Sequence, residues 1–359
     1  MSISKSVAYT LSIVGGTLLA ACSGATQPPA LSPASTTNAA RSGASPLRRD
    51  ALDAFITVRQ PGPAHPDRRK SWISPDSKRE TRLAFVTDLG SGDISVFSLP
   101  KFTLKGTLTG FSQPQGMCSD TSGNVYVANT GTQQIFEISR AGSIVNTYGD
   151  SYGYPVGCAV DPATGSLAVS DMFGISGSGQ VLVFGKGSHT PAVFSNPAQY
   201  FYSFVGYGPN SALWTSGRTL YGDYIASACG PSTCSTINLS GGTIYFPGPV
   251  QWDGKRGNWV LFDQTCDATS TTCSYPVSAS GVLGTATTYD NYNGGGVCGM
   301  AQGVIAANNL NFVVGSDASC ASSSAAIARW AYPAGGAPTN YATFSSPYAV
   351  PGGVAISTK

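Results

Sequence analysis

A six-residue pattern recurs along the chain and narrows its possible folds more than any other feature. It reads LAFVTD at Leu83–Asp88, NVYVAN at Asn124–Asn129, SLAVSD at Ser166–Asp171, ALWTSG at Ala212–Gly217, NWVLFD at Asn258–Asp263 and NFVVGS at Asn311–Ser316. Successive starts differ by 41, 42, 46, 46 and 53 residues. Each copy is a short apolar run ending in a polar or small residue, as a strand that enters a turn would be. Strand-only units repeating at a period near ~45 predict an all-β chain, folded as a six-bladed β-propeller.

The remaining strands follow in phase. In the best-preserved unit, Gln115–Ser119, Asn124–Asn129 and Gln134–Ser139 form three strands, joined through Asp-Thr-Ser-Gly and Asn-Thr-Gly-Thr turns. Third strands are expected at Ile94–Ser98, Gln180–Phe184, Ser235–Leu239, Ser274–Ser280 and Ala326–Tyr332, and fourth strands at Gly106–Thr109, Pro191–Ser195, Thr243–Phe246 and Asn340–Ser345. The first unit begins at its second strand. Gly353–Ser357 supplies the missing innermost strand, so the C-terminal strand closes the ring and removes the edges an open array would leave.

PVGCAVDPATGSLAVSD and PQGMCSDTSGNVYVANTGTQQIFEIS resemble the NHL-type repeat, with its P-x-G-x-A-x-D segment, turn, and G-x-x-y-V-a-D/N strand. The resemblance spans roughly Leu83 to Lys359 and is sharpest in the second and third units, with Gln133-Gln134 where that family carries a charged residue. It implies a propeller and leaves activity open, because one fold hosts many functions.

The N-terminus reads as an address. Lys5, the apolar run Val7–Ala20 and Leu19-Ala20-Ala21-Cys22 resemble a bacterial lipoprotein signal, with residues 1–21 removed and Cys22 carrying the lipid. Ser23 after that cysteine implies outer-membrane sorting, so the expected location is the cell envelope, outside the cytoplasm. Residues 22–70 are expected to be a disordered N-terminal tether and basic lead-in, and residues 71–359 the propeller. Ser23–Pro46 is Ser, Ala, Thr, Pro and Gly with almost no charge. Arg48–Arg82 carries nine cations against five acids, and Trp72 and Ile73 are expected to pack on the folded body. Charged residues make up only 11% of the chain and its net charge is +2, which argues against a nucleic-acid partner. A monomer is expected, meeting the membrane through its lipid.

Setting Cys22 aside leaves eight cysteines, an even number suited to disulfides in an oxidising compartment. Cys229 with Cys234 and Cys266 with Cys273 are close pairs, each assigned to a connection between second and third strands. Cys298 and Cys320 meet on the same rim in this reading. Cys118 and Cys158 lie one step out of phase in successive innermost strands, so they point to opposite faces of their blades and can join the two across the gap.

Catalytic residue types are scarce. The two histidines, His65 and His189, fall in the lead-in and between outer strands, which argues against Ser-His-Asp devices and multi-His metal sites. Propellers of the streptogramin-lyase type, which use a histidine base, are disfavoured for the same reason. The second strands end in Asp88, Asn129, Asp171, Gly217, Asp263 and Ser316. Asp88, Asn129, Asp171 and Asp263 are candidate channel-mouth ligands, and converging oxygens of this kind suit Ca²⁺. Resemblance to gluconolactonase-like propellers would then imply a metal-dependent hydrolase or lactonase. Their ligands come from the starts of innermost strands, where this chain has Gln113, Tyr154 and Pro249. The alternative role for these Asp and Asn side chains is to hydrogen-bond their own turns. The leading expectation is a protein-, small-molecule- or carbohydrate-binding scaffold with no cofactor and no evident catalytic site. The aromatics Tyr200, Phe201, Tyr202, Phe204, Tyr207, Tyr289 and Tyr292 are expected either to bind ligand at a rim or to pack between blades.

Overall fold

The computed structural model describes residues 70–174, 177–266, 271–292, 302–305, 311–317, 324–344 and 349–359. Residues 1–69 (with Cys22 and His65), Cys298 and Cys320 lie outside them. The described strands form six antiparallel sheets. Blade one contains β1 (Trp72–Ile73), β2 (Arg82–Asp88), β3 (Asp93–Ser98) and β4 (Leu104–Leu108). Blade two contains β5 (Pro114–Ser119), β6 (Val125–Asn129), β7 (Gln134–Ile138) and β8 (Ile144–Gly149). Blade three contains β9 (Gly153–Val160), β10 (Leu167–Gly174), β11 (Gln180–Phe184) and β12 (Ala192–Phe194). Blade four contains β13 (Phe201–Tyr207), β14 (Leu213–Arg218), β15 (Tyr224–Cys229) and β16 (Cys234–Thr236). Blade five contains β17 (Pro247–Asp253), β18 (Asn258–Cys266), β19 (Thr271–Val277) and β20 (Thr287–Thr288). Blade six contains β21 (Gly303–Ile305), β22 (Phe312–Asp317), β23 (Ala326–Ala331) and β24 (Asn340–Thr343). The last strand, β25 (Pro351–Thr358), returns to pair with β2, Val86 opposite Val354, and is the innermost strand of blade one. The ring is therefore closed as the phase of the repeat predicts.

Both faces of each blade are apolar because each face meets a neighbour. Along β2, Leu83 and Phe85 point one way, into a cluster with Met117, Val125 and Val127 of blade two. Ala84 and Val86 point the other way, into a cluster with Val314 and Ile327 of blade six. Six such clusters fill the six junctions between blades. Each fully buried Leu or Phe contributes about 2 kcal/mol of transfer free energy. A lone blade would expose both rows of these side chains.

Trp72 and Ile73 form a fifth strand on the outside of blade one, against Thr107 and Gly106 of β4. A Cβ on Gly106 would lie 2.6 Å from the Trp72 carbonyl oxygen, so this glycine is what lets β1 lie flat. Ile73 packs against the core between blades one and two, while Trp72 stays exposed.

Strand direction defines two rims. Second strands end and innermost strands begin at the upper rim, and the turns between first and second and between third and fourth strands form the lower rim. Blade four corrects the sequence expectation. Its third and fourth strands are β15 and β16, not Ser235–Leu239 and Thr243–Phe246. The tight turn closed by the Thr219 N–H to the Asp223 carbonyl brings Tyr224–Cys229 straight back along β14, a segment whose small residues show no strong alternation. The Cys229–Cys234 bond thus joins third and fourth strands on the lower rim. Cys266–Cys273 brackets the β18–β19 turn on the upper rim. Cys118 of β5 and Cys158 of β9 are bonded across blades two and three, with Cα atoms 5.6 Å apart.

Candidate binding face

The residues that end the second strands are buried and occupied. Asp88 Oδ1 accepts from the Gly90 and Val350 N–H groups at 2.9 and 2.8 Å, and its Oδ2 from Ser91 Oγ at 3.0 Å. Asn129 accepts from the Ser112 N–H at 2.8 Å and donates to Thr132 Oγ1. Asp263 accepts from Tyr245 N, Phe246 N and Thr265 N at 2.8–3.0 Å. Each therefore ties the end of a second strand to the segment leading into its own innermost strand. In blade four the position is Gly217, and Gln199 fills the space a side chain would take, its Nε2 2.7 Å from an ideal Cβ. In blade six the equivalent residue is Asp317, buried opposite Ala326, one residue beyond the Ser316 expected from the pattern.

Ser316 belongs instead to a ring of hydroxyls one step earlier. Thr87, Ser170, Ser216 and Ser316 donate to the Gln115, Ser203, Gly248 and Gly352 carbonyls, each in the innermost strand of the next blade. Glycines set how closely those innermost strands approach. A Cβ on Gly116 would lie 2.4 Å from the Val156 oxygen, and one on Gly353 2.2 Å from the Gln115 oxygen. This gives the P-x-G segment of the repeat a physical reason. Near the axis, Gln302 of blade six accepts from Met117 N (2.9 Å) and Val354 N (3.1 Å) and donates to Met117 O (2.6 Å). One side chain thus bridges three blades.

Asp171 differs from its equivalents. Its Oδ2 accepts from Gln180 Nε2 at 3.1 Å, while its other oxygen faces the carboxyl of Asp150, in the connection that leads into β9. Asp150 Oδ1 accepts from the Tyr152 and Gly153 N–H groups at 2.9 and 3.1 Å. Burial first, then the hydrogen bond and charge of Asp150, push the Asp171 carboxyl up to about 9. At neutral pH the facing carboxyls therefore hold a proton between them. Sequence reasoning had no signal for this pair, because Asp150 looks like any turn aspartate.

The four candidate ligands therefore stand in blades one, two, three and five, each bonded within its own blade. Among the described residues no three His, Cys, Asp or Glu side chains converge as a metal site needs. On the lower rim, Asp120, Asp161 and Asp253 cap the turns between first and second strands, as turn chemistry predicts. His189 stacks on Tyr148 at the outside of the ring, ring centres 5.3 Å apart. Tyr202 and Tyr289 are fully buried packing residues.

The upper rim also carries exposed aromatic surface. Tyr221 is 90% and Leu220 60% exposed in the β14–β15 turn; Tyr154 (45%) and Tyr245 (42%) flank the starts of β9 and β17. Partly buried rings of the same rim are linked across blades three to five. The Phe173 ring meets Phe201 at 5.0 Å and Phe201 meets Tyr200 at 4.8 Å. The Tyr200 N–H donates to the Arg218 carbonyl. The Arg218 guanidinium lies 4.5 Å over Phe246 and donates to Tyr245 O. Burial pulls Arg218 down to about 10, with Asp263 and Asp223 opposing the shift. Most other exposed large apolar side chains, such as Leu104, Ile144 and Val193, sit on outermost strands.

Residues 111–138 match the NHL repeat family model. Human NHL-repeat-containing protein 4 is 35% identical over 105 residues, an alignment covering 28% of this chain and 80% of that protein. Two solved structures share the fold at 10% identity. A chain of a nidogen/laminin complex aligns with TM-score 0.58 over 77% of this chain and 98% of its own. A Bacteroides caccae protein of unknown function aligns with TM-score 0.59 over 78% of this chain and 100% of its own.

Proposed function

Because the chain belongs to the NHL-repeat family of β-propellers, we propose that it is a binding module whose ligand meets the upper rim over blades three to five. The observation that carries this reading is the exposed aromatic strip there. Rings held on a rigid scaffold give large contact area at small entropic cost. The strip also lies where a propeller's strand connections vary without disturbing the blades. The ligand is a protein, a carbohydrate or a small molecule.

The module works outside the cytoplasm, held at the cell envelope through a lipid on Cys22. Support for the address comes from the lipobox-like Leu19–Cys22 and from the three disulfides. Among the described residues no helix is long and apolar enough to cross a membrane.

The test is a binding screen against arrayed glycans, peptides and envelope proteins with two variants. Leu220→Ser/Tyr221→Ser/Tyr245→Ser alters the strip, and Ile144→Ser/Val145→Ser alters an equally exposed outer strand. Loss of a bound ligand with the first variant alone supports the reading. Equal binding by both variants refutes it.

A further inference from the structure

The lysines and arginines divide unevenly between the rims. Among the described residues the cations of the upper rim are Lys70, beside Thr109 at the end of β4, and Arg218, which is engaged with Phe246 and two carbonyls. The lower rim presents exposed Lys78 and Arg79 beside the chain terminus, Lys101 in the β3–β4 turn, Lys186 after β11, Lys255 after β17, and Lys359. The acids on that rim offset only part of this charge. Asp76 lies 3.8 Å from Arg79, Glu80 pairs with Lys105 at 2.9 Å, and Asp120, Asp161 and Asp253 cap turns, the last two buried, which leaves Lys101 and Lys186 on turns without an acid of their own. The exposed cations sit on separate turns of blades one, three and five, so they lie around a ring of turns and not along a cleft.

We infer that the lower rim docks on an anionic membrane surface, its lysines meeting phospholipid headgroups. Cations spread around a disc suit a plane of many anionic groups. The chain's overall charge of +2 is too small to hold a polyanion that must be gripped along its length. Docked this way, the propeller turns its aromatic rim away from the membrane. The inference stands whether or not that rim binds the ligand proposed above.

The experiment uses the full chain with Cys22→Ser, so that no acyl chain contributes, and sedimentation with phosphatidylcholine vesicles with or without phosphatidylglycerol. Binding is expected only to the anionic vesicles and should weaken with salt. The Lys101→Gln/Lys186→Gln/Lys255→Gln/Lys359→Gln variant should bind at least tenfold more weakly, since each lysine near such a surface contributes roughly fivefold. Those side chains are exposed, so an unchanged melting temperature serves as the folding control. Leu220→Ser/Tyr221→Ser/Tyr245→Ser should bind vesicles like the parent. Undiminished binding by the four-lysine variant would overturn the inference, as would tighter binding to duplex DNA at matched phosphate concentration.

Discussion

Substituting Asp171 with Asn isolates the shared proton of the buried acid pair. Asp171 is fully buried, and its folded pKa of about 9 lies above the ordinary value of 3.8. Between those values the folded chain holds one more proton than the unfolded chain. Stability from this pair is therefore complete below the lower value and is lost as pH rises through the upper one. From pH 5 to pH 8, one proton is worth about 4 kcal/mol, or roughly 8 °C in melting temperature for a large domain. The side-chain amide introduced by D171N can still donate to Asp150 Oδ2 but cannot titrate. The difference in melting temperature between D171N and the parent should thus move by that amount across the range, in favour of the variant at high pH. Calorimetry of both proteins in matched buffers measures it, because other titrations cancel in the difference. Parallel melting curves from pH 5 to pH 8 would show that no proton is shared.

Two further substitutions test how the ring is closed. Gly116→Ala sets a methyl group against the Val156 oxygen and Gly157 Cα, backbone atoms that no rotamer change can move. It should cost about 3 kcal/mol, whereas Gly149→Ala, with nothing within 4 Å, should be nearly neutral in urea titration. Gln302→Ala removes three buried hydrogen bonds between blades six, two and one, and should lower stability by about 3 kcal/mol. An unchanged denaturation midpoint would mean that the bridge is not formed.

Much of the architecture was legible because a propeller repeats its own local physics. The endings of LAFVTD, NVYVAN, SLAVSD and NWVLFD mark the upper rim, and Gly353–Ser357 supplies the strand missing from the first unit. Reading failed in blade four, where Tyr224–Cys229 ends in the small residues Ala-Ser-Ala-Cys and the short Cys229–Cys234 spacing suits several connections. It fell one residue short in blade six, because the match of Asn311 to Asn124 and Asn258 outweighed the hydroxyl register that makes Ser316 the counterpart of Ser170. The strand-ending acids suggested ligands because their residue types suit both metals and turns. Only their hydrogen-bond partners separate the two roles.

Periodicity, turn residues and cysteine phase act between near neighbours in the chain, so they decided the fold class, the blade number and the strand that closes the ring. The role of Gln302 depends on closure, which brings residue 302 to residue 117, while those of Asp150 and the aromatic strip depend on strand pairing and blade packing, which bring Asp150 to Asp171 and Phe173 to Phe201. Such contacts leave no local pattern, because each is set by how strands and blades pack and, for Gln302, by the summed geometry of all the blades between its partners.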